Sequence, residues 1–313
     1  MKIALYYHAV LPIKKYGGSE RVVMWLAKGL AELGHQVYLM SFPGSEADFA
    51  RCIWVSSQED MARKLPEGIE VMHMRTGPRV KLPCPVLVTL GGNYFTGETF
   101  NPNTSFLSRD HARRHNAKHY VYNGLDVSEY TFNPNKSDYF LFLSKVRWSV
   151  KGIGWALEVA KRTGINLVVA GGRRLNFRRN VTYVGMVGGQ EKRDLLAGAK
   201  ALIFPTLWPE PFGNVVIEAM ASGTPVITTN NGSMPELIPS AVGFRCDSVE
   251  EMCRAVERID EVAPAACRQR VEQQFNHIRL AEDYLKLYQR LIDHGTILEP
   301  GESPPKAPTE QSW

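Results

Sequence analysis

The sequence predicts an α/β protein made of two doubly wound domains. Three observations carry this. Strand-like and helix-like segments alternate along most of the chain. The strand-like runs are almost continuously apolar, as strands buried on both faces are. The length, 313 residues, suits two domains of ~150 residues each.

Ile3-Ala4-Leu5-Tyr6-Tyr7 reads as the first strand, followed by a Gly-rich loop. Val22, Val23, Leu26, Leu30 and Leu33 then form one helical stripe, and Gly34 stands where a helix-terminating glycine is expected. Strands follow at 36–40, 69–74 and 85–90. A polar joint at 123–138 carries Asn123-Gly124 and Asn133-Pro134. Beyond it, strands are expected at 139–143, 166–170, 181–184, 201–204 and 225–229. Helices are expected at about 153–163, 191–199 and 215–222. Near the C-terminus Ile278, Ala281, Tyr284, Leu285, Tyr288, Leu291 and Ile292 make another apolar stripe. After Gly295, Pro300, Pro304, Pro305 and Pro308 suggest a disordered tail over 295–313.

Composition narrows the classes. Apolar residues are 44% and charged residues 22%, which excludes disordered and collagen-like chains. No apolar run reaches the ~18 residues of a membrane span. Met1-Lys2-Ile3-Ala4-Leu5 enters an apolar stretch but meets His8, Lys14 and Lys15 with no small-residue cleavage site, so it reads as a strand and not a signal peptide. Cys52, Cys84, Cys246, Cys253 and Cys267 are odd in number and lack CxxC spacing, which fits a reducing cytoplasm. The balance, 37 − 32 = +5, permits an anionic ligand or a membrane surface and does not demand nucleic acid.

The most informative stretch runs from Pro205 to Glu218, from a strand end through a loop into a helix. Ligands of open α/β sheets bind beyond the carboxyl ends of strands. A helix start there offers N–H groups and positive potential to an anion. Glu218 on that helix suits a diol such as ribose, and Glu210 on the loop suits a second hydroxyl-rich group. Two surface glutamates eight apart are also common, so the spacing alone leaves both readings open.

The wider pattern is more specific. Glu210 and Glu218 lie inside Pro-Glu-Pro-Phe-Gly-Asn and Glu-Ala-Met-Ala-Ser-Gly-Thr-Pro-Val. They resemble the E-x7-E signature of the retaining GT-B glycosyltransferases of family 4, and this chain is similar to a short member. Gly17-Gly18-Ser19-Glu20-Arg21, Gly34-His35-Gln36-Val37, Asn123-Gly124-Leu125-Asp126, Lys151-Gly152, Ala170-Gly171-Gly172, Val184-Gly185 and Gly232-Ser233 with Glu236 also match. The match is nearly continuous over 139–245 and patchy before it.

The resemblance implies a GT-B fold: two Rossmann-like domains facing a cleft. They would be an acceptor-side domain over 1–125, completed by a C-terminal helix at about 276–294, and a donor-binding domain over 126–275. It implies transfer of a hexose from a UDP- or GDP-sugar to an unknown acceptor with retained configuration, with no cofactor and no metal. Glu218 would hold the ribose. Glu210 and the backbone of Phe212, Gly213, Asn214 and Val215 would lie beside the donor sugar. Gly17, Gly18 and Gly171 would approach the donor closely. Charge on the leaving phosphate calls for cations. The family supplies an Arg and a Lys; here Ser144-Lys145-Val146-Arg147-Trp148-Ser149-Val150-Lys151 makes Lys145, Arg147 and Lys151 the candidates.

Two departures stand out. The N-terminal domain is short, and Leu90 occupies the turn where the family often has a His. His8 and His73 are substitutes to test, although a lone His at a strand end is more often structural. A catalytically silent GT-B subunit and another GT-B enzyme such as a sugar-nucleotide epimerase stay open, the second opposed by E-x7-E and Gly-Gly-Ser-Glu-Arg. Two basic clusters remain: Arg173, Arg174, Arg178, Arg179, and Arg109 to His119 with Arg113, Arg114, Lys118, His111 and His115. Either is a solvated face or a contact for a phosphorylated acceptor or anionic lipid, the latter placing the protein on the inner face of a membrane. Gly152-Ile153-Gly154 lacks the third glycine of a dinucleotide fingerprint, and no GxxxxGK[ST], HExxH, GxSxG or Asp-x-Asp occurs.

Overall fold

The computed structural model describes residues 1–13, 17–175 and 177–309. The chain forms two compact units. The first unit opens with β1 (Lys2–Tyr7), α1 (Gly18–Glu32), β2 (Gln36–Ser41) and β3 (Arg51–Trp54). It continues with α2 (Gln58–Lys64), β4 (Val71–Met74), β5 (Val86–Thr89), β6 (Thr104–Ser105) and α3 (Arg109–Arg114). Its strands pair in parallel in the order β3-β2-β1-β4-β5-β6.

The second unit covers Asp126–Phe275. It contains β7 (Phe140–Leu143), α4 (Ile153–Thr163), β8 (Leu167–Ala170), β9 (Val181–Gly185), α5 (Gly189–Gly198) and β10 (Ala201–Phe204). Then come α6 (Asn214–Ala221), β11 (Val226–Thr229), α7 (Met234–Leu237), β12 (Gly243–Cys246), α8 (Val249–Glu257) and α9 (Pro264–Gln274). Its parallel order, β12-β11-β10-β7-β8-β9, repeats the first unit's topology. The apolar strands β7 and β10 lie at its centre, and Phe142 and Ile203 are fully buried in the core against Ile153 and Val169.

From Asn276 the chain returns to the first unit, where α10 (His277–His294) lies along α1. Its stripe buries Tyr284, Tyr288 and Leu291. The Tyr288 and Tyr284 hydroxyls reach His73 of β4 at 2.7 Å and Thr89 of β5 at 2.9 Å.

The sequence reading leaves β3, α2, β6, α3, α7, β12, α8 and α9 unassigned. β6 has two residues, and α9 buries only Cys267 and Val271, so neither carries a periodic signal. The expected disordered tail is corrected: residues 296–309 pack on the first unit. Ile297 and Ala307 are buried, and Phe100 N–H donates to Pro305 O at 2.8 Å while Ala307 N–H donates to Glu98 O at 2.9 Å. Proline lacks a donor but accepts through its carbonyl, so a Pro-rich segment can still line the edge of a loop. The expected tail's last residues, 310–313, lie outside the described residues.

Candidate functional site

Each sheet reverses its strand order once, and open α/β sheets bind ligands beyond the carboxyl ends of the strands at such a point. In the second unit this point lies between β7 and β10. Two loops leave it: 144–152 after β7 and 205–213 after β10. Together they carry six of the sequence-predicted residues, Lys145, Arg147, Lys151, Glu210, Phe212 and Gly213, and Asn214 follows at the start of α6.

The two loops are fastened to each other. Leu207 N–H donates to Val150 O at 2.7 Å. Gly152 has φ +76°, and a Cβ there would lie 1.8 Å from Pro205 O. Only glycine admits both the left-handed backbone and that approach. Gly171, at the end of β8, serves the first loop in the same way: φ is +112°, a Cβ would lie 2.0 Å from Ser144 O, and its own carbonyl accepts from Val146 N–H at 3.1 Å.

This fastening delivers Lys151 to Glu210. Lys151 Nζ stands 2.5 Å from Glu210 Oε2, and both side chains are nearly buried. Trp208 Nε1 donates to the same oxygen at 2.6 Å, and the Lys151 ammonium lies 4.6 Å from the centre of the Trp208 ring. Ser233 N–H holds the Glu210 carbonyl at 3.0 Å. Lys145 sits differently, its ammonium 4.6 Å from the Trp148 ring, and Arg147 is exposed. Gly213 caps α6 without a side chain, and a Cβ there would lie 3.5 Å from Glu210 Cγ, so the helix's positive end starts beside Glu210. Phe212 is buried and set edge-on to Phe275 at 5.8 Å, and its carbonyl accepts from Ser233 Oγ at 2.8 Å. Val215 is half-buried in the first turn of α6.

Glu218 is only 2% exposed. Lys192 Nζ of α5 stands 2.6 Å from its carboxylate, and the Tyr130 hydroxyl donates to it at 3.1 Å. Lys192, Tyr130 and Trp208 were missed by sequence reasoning. Only Trp208, two residues before Glu210, left a local signal.

In the first unit, Gly17 and Gly18 form the cap and first residue of α1, beside the direction change between β1 and β4. His73 is corrected as a catalytic candidate. Its ring is buried, with Nδ1 on Tyr288 Oη and Nε2 on Thr89 Oγ1 at 2.7 and 2.8 Å, and burial holds its pKa down at about 3. His8 is exposed, 3.1 Å from the Tyr6 hydroxyl through Nδ1 and edge-on to Phe42. The cluster around 109–119 is largely paired within the first unit. Asp110 takes Arg113 and Arg114 at 3.0 and 2.7 Å, Glu302 takes Lys118 and His119 at 3.0 Å each, and His111 and His115 are buried. His111 Nε2 lies 2.9 Å from Gly92 O and so supports the turn on which Leu90 sits. Among the described residues no group of three or more His, Cys, Asp or Glu is placed to hold a metal, and no helix is long and apolar enough to cross a membrane.

The chain is similar to known proteins. Residues 137–261 match the family of glycosyl transferases group 1. The chain is 28% identical over 163 residues to the O-antigen chain mannosyltransferase RfbU of Salmonella typhimurium, covering 47% of this chain and 46% of that protein. It is 27% identical over 152 residues to an uncharacterised glycosyltransferase of Methanocaldococcus jannaschii, covering 39% and 38%. The matched stretches thus span less than half the length of these relatives. Among solved structures, AviGT4, a glycosyltransferase involved in avilamycin A biosynthesis, is 27% identical with a TM-score of 0.80 over 94% of this chain and 98% of that one. HepE of Anabaena, solved with UDP-glucose, shares the fold at a TM-score of 0.67 and 15% identity, covering 94% of this chain and 100% of that one. The fold is GT-B, and these matches support an enzyme that transfers sugars.

Proposed function

We propose that the chain is a retaining glycosyltransferase that moves a hexose from a UDP- or GDP-sugar to an acceptor. The Lys151–Glu210 pair carries this reading: a cation and a hydroxyl-binding carboxylate fixed at 2.5 Å, beside a helix N-terminus, where the sheet changes direction. Negative charge grows on the departing phosphate as the glycosidic bond breaks. Lys151, supported by Lys145 and Arg147, and the N–H groups of α6 stabilise that charge more in the transition state than in the bound donor. Glu210 with the backbone of Phe212 to Val215 orients the sugar, and Glu218 holds the ribose. Gly17, Gly18 and Gly171 give close approach to the diphosphate. The leaving phosphate takes the acceptor's proton on the same face of the sugar, which retains the configuration without a metal. Five free cysteines favour a cytoplasmic setting.

One observation favours a second reading, a catalytically silent subunit: Leu90 holds the acceptor-side turn, and the neighbouring His73 and His111 are buried. A thermal-shift panel of UDP, GDP, ADP and their sugar conjugates identifies the base. A ligand at 100 times its dissociation constant adds about 2.7 kcal/mol. Transfer in excess EDTA, with the product's anomeric signal read by NMR, then decides the mechanism. An inverted product, or activity rescued by Mg²⁺ or Mn²⁺, overturns it. Absence of both transfer and slow donor hydrolysis leaves the silent subunit.

A further inference from the structure

We propose that the loop between β8 and β9 docks the protein on an anionic lipid bilayer, with Leu175 and Phe177 entering the headgroup region and Arg173, Arg174, Arg178 and Arg179 pairing with lipid phosphates. The inference does not depend on the reaction proposed above. Parallel neighbours are usually joined by a helix whose apolar face covers the sheet. Among the described residues of 171–180, which join β8 to β9, there is no helix, so the apolar side chains of this crossover have no helix face to bury. Leu175 and Phe177 are each 94% exposed, far beyond any other large apolar residue described in the chain.

The loop is nonetheless anchored at both ends. Gly171 N–H donates to Gly185 O at 2.7 Å. At the other end Asn180 Nδ2 donates to Ala160 O and Ile165 O at 2.9 Å each, and Arg178 donates to Leu157 O at 2.7 Å. A fixed base with two apolar side chains held outward is a wedge, and four flanking arginines give it a positive collar. Residues 171–180 contain no Asp or Glu. Glu158 lies near Arg178 but is held by Arg162 at 2.8 Å.

The other basic cluster shows the contrast. There Asp110 pairs with Arg113 and Arg114, Glu302 pairs with Lys118, and His111 and His115 are buried. Charge alone would suit a free phosphate or a polyanion as well. Leu175 and Phe177 decide for a bilayer, because an interfacial contact gains from buried apolar area and from attraction to anionic lipid together.

The test is sedimentation with vesicles of phosphatidylcholine containing phosphatidylglycerol, and with phosphatidylcholine alone. The protein should bind the anionic vesicles and release them as salt rises. Leu175→Ser with Phe177→Ser should weaken binding by about tenfold or more. Each Arg→Gln change in the loop should weaken it by about fivefold. Leu175, Phe177, Arg173, Arg174 and Arg179 are exposed, so their substitution should not move unfolding temperatures, whereas Arg178 also holds Leu157 O and its variant is read for unfolding as well. Phe177→Trp gives an independent signal: its emission should shift to the blue with anionic vesicles and not with inorganic phosphate. The proposal is overturned if the protein ignores anionic vesicles, if the double serine variant binds as well as the parent, or if the tryptophan stays in water.

Discussion

Lys151 has two jobs that one substitution would separate. It neutralises Glu210 within a nearly buried pair, and it is proposed to meet the leaving phosphate. Lys151→Ala should lower kcat by about 10²–10³, comparable to losing one preorganised donor. It should also cost about 3–5 kcal/mol of stability, since among the described residues Glu210 keeps Trp208 alone as a side-chain donor. Steady-state kinetics with denaturant unfolding reads both, and normal kcat in the folded variant removes Lys151 from the chemistry. Glu218→Gln discards a charge that Lys192 and Tyr130 hold in place. Nucleotide affinity should fall by about 1.5–3 kcal/mol in calorimetry; unchanged affinity would place the ribose elsewhere. The two glutamates were legible because their neighbours in the chain form a pattern. Their partners were not. Lys192 is 26 residues and Tyr130 88 residues from Glu218, and no local rule joins them before the sheet is built.

At the scale of elements, the central strands were legible because four apolar residues in a row leave little choice. β10 and α4 were predicted to the residue. The edges were not, since β3 is partly exposed and β6 too short to show alternation. Composition misled at 296–309, where prolines suggest disorder and the fold instead uses an extended segment beside 97–100. Truncation after Gly295 should therefore destabilise the first unit. Losing buried Ile297 alone is worth about 1.5–3 kcal/mol. Calorimetry of the truncated chain should show a lower midpoint for that unit, and an unchanged midpoint would mean that the segment adds nothing.

Across the whole molecule the eight histidines divide unevenly: all lie in the first unit, and Asp126–Phe275 has none. Burial depresses the pKa of His73 to about 3 and lowers those of His111 and His115. The unfolded chain, with histidines near 6.5, then binds protons before the folded one does. Their contribution is complete above pH 6.5 and is lost as pH falls toward 3, by up to about 1.4 kcal/mol per histidine per pH unit. Between pH 7 and 5 the first unit's melting temperature should drop while the second unit's holds. Parallel drops in differential scanning calorimetry would contradict this. The return of the chain at Asn276 also sets a birth order. The ribosome releases Asp126–Phe275 as one uninterrupted piece, free to close its sheet as it emerges. The first unit, begun earlier, must wait for α10, and until then the surface that Tyr284 and Tyr288 will cover stays open to chaperones. The half that is made first is the half that finishes last.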